Sequence, residues 1–125
     1  MKLGKVVNPM FQNAFRKLAT QELPLRAAFL VKGISKQIQD EIKKYDDSRM
    51  EALKRLGTTK EDGKLETDET GNVKLSSENM QKFTEELQGL LDIDVVVSSI
   101  KISDLGANAQ LSAADASALE ELIVE

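Results

Sequence analysis

Hydrophobic positions between Pro24 and Leu56 recur every three or four residues, which is the spacing of an amphipathic helix. A helix of that length would be about 50 Å long, more than a compact domain of this size is wide. We therefore expect it either to pack on other copies of the chain or to carry the smaller elements along its side. Ser35 and Arg49 interrupt the spacing, and Gly33 indicates a close helix crossing or a bend. The predicted contact residues, called the seam below, are Ala28, Val31, Ile38, Ile42, Tyr45, Ala52 and Leu56.

The segments on either side of the long helix predict shorter elements. Asn8-Pro9 is a helix start, because Asn is a favoured cap and Pro fits the first turn. The stretch from Leu65 to Leu75 alternates in polarity around Gly71-Asn72, which is typical of a β-hairpin. The predicted order is a strand over 3–7, a helix over 9–19, the long helix over 24–56, a β-hairpin over 58–76, a helix from 77 to about 91, a strand over 93–102 and a C-terminal helix after 112.

Finer predictions concern the C-terminal third and the core. Across Ser98-Ser99 the apolar positions of the predicted strand change phase, which indicates a bulge or bend. Ser112 and Asp115 have the spacing of a capping box. In the helix that follows, the residues expected to face inward are Leu119, Leu122 and Ile123. Because Trp is absent, the largest core residues are expected to be Phe11, Phe15, Phe29 and Phe83.

Helices dominate this order, so we predict a helix-dominated α+β fold. At 125 residues the chain is long enough for one core, and we predict a single domain over 1–125. Its parts are expected to be a strand and helical hairpin over 1–57, the β-hairpin over 58–76, and a helix, strand and helix over 77–125.

The composition removes most catalytic chemistry. The chain has no Cys and no His, so it lacks a thiol nucleophile, a disulfide, the usual zinc ligands and the common general base. Neighbouring carboxylates such as those of Glu85 and Glu86 point apart on a helix. Counted from Asp68, a calcium loop would place its Gly and Glu at Val73 and Asn79, so that pattern fails. We expect a protein that is not an enzyme and that has no cofactor and no metal site.

The net charge of −4 hides an uneven distribution. Residues 1–60 hold 13 Lys and Arg against 6 Asp and Glu (+7), and residues 61–125 hold 4 against 15 (−11). The basic side of the long helix would suit phosphates, but acidic residues are interleaved with it, and we expect no aromatic side chain to lie among the basic side chains for stacking. An acidic protein surface, such as the C-terminal half of this chain, is the better match; head-to-tail stacking of copies and a plain solvated surface are the alternatives. The basic contact face comprises Lys36, Lys43, Lys44, Arg49, Lys54 and Arg55.

A further pattern is a combination of signals spread over most of the chain. They are Leu23-Pro24 before the long helix, Tyr45 and Arg49 within it, Glu61-Asp62-Gly63, Gly71-Asn72, Phe83 with Glu86-Leu87 and Leu90-Leu91, a Val-rich strand, Leu105, Leu111-Ser112, Leu119 and Ile123. In combination they resemble a family of small, uncharacterised proteins of tailed bacteriophages. The chain departs from the family pattern at Ala113, where Pro is expected. The resemblance implies a phage origin and a role in virion assembly or host takeover, and it carries no catalytic residue.

These observations favour a non-enzymatic phage protein that self-associates through the seam and serves as an assembly factor or a minor virion component. The alternative is a phage-encoded binding module acting on nucleic acid, a nucleotide or a host defence protein. No apolar stretch of about 18 residues occurs, so we expect a soluble protein of the host cytoplasm without membrane contact. Incorporation into the virion is the alternative location. The expected partners are further copies and other phage or host proteins, with nucleic acid less favoured.

Overall fold

Helices dominate the computed structural model, which describes all 125 residues, Met1–Glu125. The fold is of the α+β class, as predicted, with five α-helices and one small parallel sheet. None of the helices has the combination of length and apolar character needed to cross a membrane. In chain order the elements are α1 (Leu3–Val6), α2 (Pro9–Ala19), α3 (Leu25–Leu56), α4 (Ser77–Leu91), β1 (Ile100–Lys101), a 3-10 helix (Ile102–Leu105), α5 (Ala113–Ala118) and β2 (Ile123–Val124).

The chain divides into two compact units. The first unit is formed by Met1–Ile42 together with Ile93–Glu125, and the second by Lys43–Asp92. Helix α3 is continuous, so its first part belongs to the first unit and its last part to the second.

The first unit holds most of the buried apolar residues. Helix α2 begins as predicted, because the Asn8 side chain accepts a hydrogen bond from the Met10 amide and Pro9 occupies the first helical position. Helix α5 packs against α2, and Lys17 Nζ lies 3.3 Å from Asp115 Oδ2 between them. The core residues of this unit are Leu3, Val6, Phe11, Ala14, Phe15, Leu18, Ala27, Val31, Ile34, Ile38, Ile100, Leu105, Leu119 and Leu122.

The predicted N-terminal strand is wrong. Residues Leu3–Val6 form one turn of helix, and this turn buries both Leu3 and Val6. Residues three apart share one side of a helix but lie on opposite faces of a strand, so only the helical turn can bury the pair together.

The predicted strand over 93–102 is wrong for most of its length. Only Ile100–Lys101 is a strand, and it pairs in parallel with Ile123–Val124. The backbone before it is satisfied elsewhere: the Val95 amide donates to the Met1 carbonyl, and the Ser98 amide donates to Gln37 Oε1. Apolar alternation favours a strand, but a strand needs a partner of equal length, and β2 has only two residues.

The C-terminal helix is shorter than predicted. Ser112 caps α5 by accepting a hydrogen bond from the Asp115 amide, but the helix ends at Ala118. Leu119 and Leu122 are fully buried as predicted. Ile123 is half-buried and belongs to β2 rather than to a helix.

The second unit consists of the last part of α3, the segment over 57–76 and α4. The predicted β-hairpin is present only as isolated antiparallel bridges, one of which joins Thr67 and Val73. Its turn forms as predicted: Gly71 has a φ of 85°, a conformation that favours glycine, and the Asp68 amide donates to the Asn72 carbonyl over 2.8 Å. Helix α4 follows, with the Ser76 side chain accepting from the Asn79 amide.

Candidate interaction groove

Much of the predicted seam is covered by the chain itself. Val31, Ile38 and Leu56 are buried within one chain, and the core-facing side of α3 also includes Ala27 and Ile34, which lie outside the predicted spacing. The remaining seam residues are Ala28, which is exposed, and Ile42, Tyr45 and Ala52, which are half-buried. Part of the seam is therefore covered within the chain, and only the rest is available to another molecule.

The second unit leaves its apolar residues incompletely covered. Leu53 and Leu56 of α3 are its buried apolar side chains, and α4 has no buried residue at all. The apolar stripe of α4 is half-buried at Phe83, Leu87, Leu90 and Leu91, and Met80 is 48% exposed. Two helices alone cannot enclose an apolar layer, because each of them keeps one side open to water.

An open groove of about 240 Å³ lies between the two helices of this unit. Its floor is apolar and its edges are charged. We call it the α3/α4 groove, and its lining residues are Ser48, Arg49, Glu51, Ala52, Arg55, Phe83, Glu86, Leu87 and Leu90. The groove brings together three predicted residues, Ala52 from the seam and Arg49 and Arg55 from the basic face.

Two polar contacts hold the helices beside the groove. Arg55 Nη2 lies 2.6 Å from Glu86 Oε1. Asn79 Nδ2 donates to the Leu56 carbonyl over 2.9 Å. That carbonyl is at the end of α3, where the last turn has no helical partner of its own, so the asparagine supplies the missing hydrogen bond.

Two charged residues of the groove are unpaired. Arg49 and Glu51 make no hydrogen bond and no ion pair within the chain, whereas Arg55 and Glu86 satisfy each other. On one helix, residues two apart point in different directions, so Arg49 and Glu51 do not face each other. The groove therefore presents one free cation and one free anion around an apolar floor.

The other members of the predicted basic face are spread over the surface. Lys43, Lys44 and Lys54 are exposed in the second unit, outside the groove lining. Lys36 is exposed in the first unit and lines a shallow depression of about 430 Å³ together with Ala28 and Lys32. The structure thus divides the basic face between the groove and surfaces that do not contribute to it.

The sequence did not predict a second exposed surface on α3, because Phe29 was expected in the core. Phe29 is 76% exposed and Leu25, one turn before it, is 87% exposed. Between Glu22 and Asp40 there is no acidic residue. The spacing contains the signal, because Leu25 and Phe29 lie four apart and outside the seam. We call this the Phe29 surface, and it comprises Leu25, Arg26, Phe29, Lys32 and Lys36.

In the acidic segment before α4, the Asp68 carboxylate forms hydrogen bonds within its own turn. Asp68 Oδ1 accepts hydrogen bonds from the Thr70 hydroxyl, the Thr70 amide and the Asn72 amide. The Thr70 side-chain hydrogen bond, followed by the one from Asn72, holds the pKa of Asp68 below its usual value. The Asp68 carboxylate therefore stabilises the turn. No group of three or more acidic, His or Cys side chains in the chain could hold a metal ion.

Comparison with known proteins identifies no relative, since no protein-family model, curated protein or solved structure matches the chain. Inferences about function therefore rest on the α3/α4 groove and the Phe29 surface.

Proposed function

We propose that this chain is a non-enzymatic interaction protein that self-associates through the α3/α4 groove. The observation that carries the proposal is the half-covered apolar stripe of α4, a helix without a single buried residue. Removing apolar surface from water is favourable by about 25 cal/mol per Å². A partner that covers Phe83, Leu87 and Leu90 would therefore gain free energy that the chain alone leaves unused.

The resemblance to small tailed-bacteriophage proteins leads us to extend the proposal. In that setting the protein is an assembly factor or a minor virion component, which works in the host cytoplasm together with other phage proteins. Burial of apolar surface and matching of charge are its chemistry, and no catalytic step is involved.

Leu87→Asp tests the groove directly. We expect wild-type protein to increase in mass with concentration in sedimentation or light-scattering measurements. Leu87→Asp should remain a monomer, because a carboxylate would lose its hydration if the groove were covered. The matched control is Val96→Asp, which introduces the same charge at a residue that is 88% exposed in the first unit. Circular dichroism checks that both variants keep their helices.

A stable wild-type monomer at millimolar concentration would contradict the proposal. So would a folded Leu87→Asp variant that associates as strongly as wild type. If Leu87→Asp does not fold, Leu90→Ser is the second variant, because it removes a second apolar side chain of the groove without adding charge, and it should also weaken association.

The Phe29 surface favours a second candidate function, binding of single-stranded nucleic acid. An exposed aromatic ring stacks on a base, which is worth about 1–3 kcal/mol per base. Lys32 and Lys36, three and seven residues later on the same helix, are exposed and would contact phosphates. The exposure of Phe29 beside these basic residues supports stacking, against the expectation that no aromatic side chain lies among them.

Fluorescence anisotropy with a labelled single-stranded oligonucleotide tests this candidate. We expect binding at low salt that weakens steeply as salt rises, and a loss of affinity in Phe29→Ala. Lys54→Glu, which reverses an exposed charge in the other unit, should lose less affinity than Lys32→Glu. No anisotropy change at low salt would remove the candidate.

A further inference from the structure

We infer that the occupant of the α3/α4 groove is the same groove of a second copy, in a two-fold contact that places Arg49 of each protomer against Glu51 of the other. This inference rests on the proposed self-association and adds the partner's identity, the symmetry and the residues that set the register.

The charges of the groove are self-complementary. Each groove offers one unpaired cation, Arg49, and one unpaired anion, Glu51, and both line the same apolar floor. In a two-fold contact any pair across the interface occurs twice, with the roles of the two protomers exchanged. Two copies can therefore satisfy both free charges at once and leave none unpaired.

The apolar floor is complementary to itself for the same reason. Ala52 and the α4 residues Phe83, Leu87 and Leu90 form one layer of two helices with an open side. A second layer of two helices closes that side and gives a four-helix arrangement, in which each apolar stripe faces another. A polar ligand would leave these residues half-covered, as they are in the lone chain.

The size of the surface predicts a weak dimer. Helix α4 has 15 residues, so it is about 22 Å long, and two adjacent helices are about 20 Å wide. This footprint is about 450 Å² per protomer and about 900 Å² in total, less than the ~1,200 Å² at which stable interfaces begin. We therefore expect a dimer that dissociates on dilution in the micromolar range.

Contact between the groove and the Phe29 surface of another copy is the competing arrangement. It would bring the cations Lys32 and Lys36, and Arg26, which lies 3.9 Å from Asp104, towards a groove that holds one unpaired anion, Glu51, and one unpaired cation, Arg49. Glu51 could pair with one of these cations, and the others would add positive charge around Arg49. Like charges placed together oppose association. The two-fold contact avoids this repulsion.

Charge reversal followed by mixing tests the inference. In the proposed dimer, Arg49→Glu places two pairs of carboxylates together, and Glu51→Arg places two pairs of cations together. We expect each variant alone to raise the dimer Kd about tenfold or more. An equimolar mixture should form heterodimers with affinity near that of wild type, because each reversed residue then meets its opposite. The double variant Arg49→Glu with Glu51→Arg should also recover.

The matched control is Lys54→Glu, which changes the net charge as much as Arg49→Glu does but lies outside the groove lining. It should dimerise like wild type. Sedimentation velocity measures every Kd, and circular dichroism shows that each variant is folded.

The outcomes separate the inference from the proposed function. If Leu87→Asp dissociates the protein but mixing the two reversed variants restores nothing, the two-fold pairing is wrong and the groove remains the interface. If wild type is monomeric at every concentration, both are wrong. Recovery in the mixture, with no recovery in either variant alone, supports the pairing of Arg49 with Glu51.

Discussion

Substitution by alanine should change the free energy of unfolding in opposite directions at Gly33, which lies within α3, and at Gly57, which directly follows it. Gly33 is exposed in the helix, and a Cβ added there would meet no atom within 4 Å. Gly57 directly follows the helix, and a Cβ there would lie 2.6 Å from the Leu53 carbonyl oxygen, 2.7 Å from Val73 Cγ1 and 2.9 Å from Leu65 Cδ2. The first site has room for a methyl group, and the second does not.

The magnitudes follow from these surroundings. Gly33→Ala removes backbone freedom from the unfolded chain without a clash, so it should raise the free energy of unfolding by about 0.5–1 kcal/mol. Gly57→Ala forces the loop away from the helix end and should lower it by about 1–3 kcal/mol, as overpacking usually does. For a chain of this size, about 1 kcal/mol corresponds to a Tm shift of about 4 °C.

Thermal and urea unfolding followed by circular dichroism measures both variants. Because Gly33 lies in the first unit and Gly57 in the second, separate melting of the units would place the two shifts in different transitions. The protein should be dilute, so that association does not add to stability. A Gly33→Ala variant less stable than wild type would show that another segment packs against residue 33 and would refute the reasoning.

Three further predictions concern the first unit. Phe11→Ala, at a residue with 1% exposure, should cost about 3–5 kcal/mol in urea unfolding, whereas Phe29→Ala should change stability by less than about 0.5 kcal/mol; equal losses would contradict the observed burial. Ser112→Ala removes the cap of α5 and should lower the free energy of unfolding by about 1 kcal/mol. An unchanged Tm would contradict this prediction. Hydrogen bonds from Ser112, and to a smaller extent from Lys17, lower the pKa of Asp115. The charged form therefore stabilises the fold above the unfolded pKa of about 3.9, and this contribution is lost as pH falls through the lower, folded value. Wild type should lose Tm below about pH 4 more steeply than Asp115→Asn, and parallel Tm curves for the two proteins would contradict this.

Local chemistry was sufficient to predict the three long helices. Asn8 and Pro9 begin α2 through contacts within two residues, and the three-and-four spacing continues through α3 to Leu56. Such helices are encoded locally, since each backbone hydrogen bond joins residues four apart. The turn at Gly71 was predicted equally well, because the φ of 85° at that position is one that glycine adopts without the steric cost of a side chain.

Strands were predicted less well because their hydrogen bonds are not local. The Val-rich stretch before Ile100 has the composition of a strand, yet its amides bond to Met1 and Gln37, far away in the sequence. At the N-terminus, the same few apolar residues suit a strand or a helical turn, and burial of Leu3 with Val6 decided between them.

The sequence by itself determined that α3 is one long amphipathic helix, that His and Cys chemistry is absent, and that the basic and acidic residues are separated along the chain. Only the tertiary structure decided which side of α3 is covered by the chain's own elements, and therefore that Phe29 is exposed while Ile34 is buried. It also decided that Arg49 and Ala52 meet Phe83 across a groove. The physical reason is that periodicity determines which residues share a face of a helix, whereas burial of that face depends on the segments that fold against it.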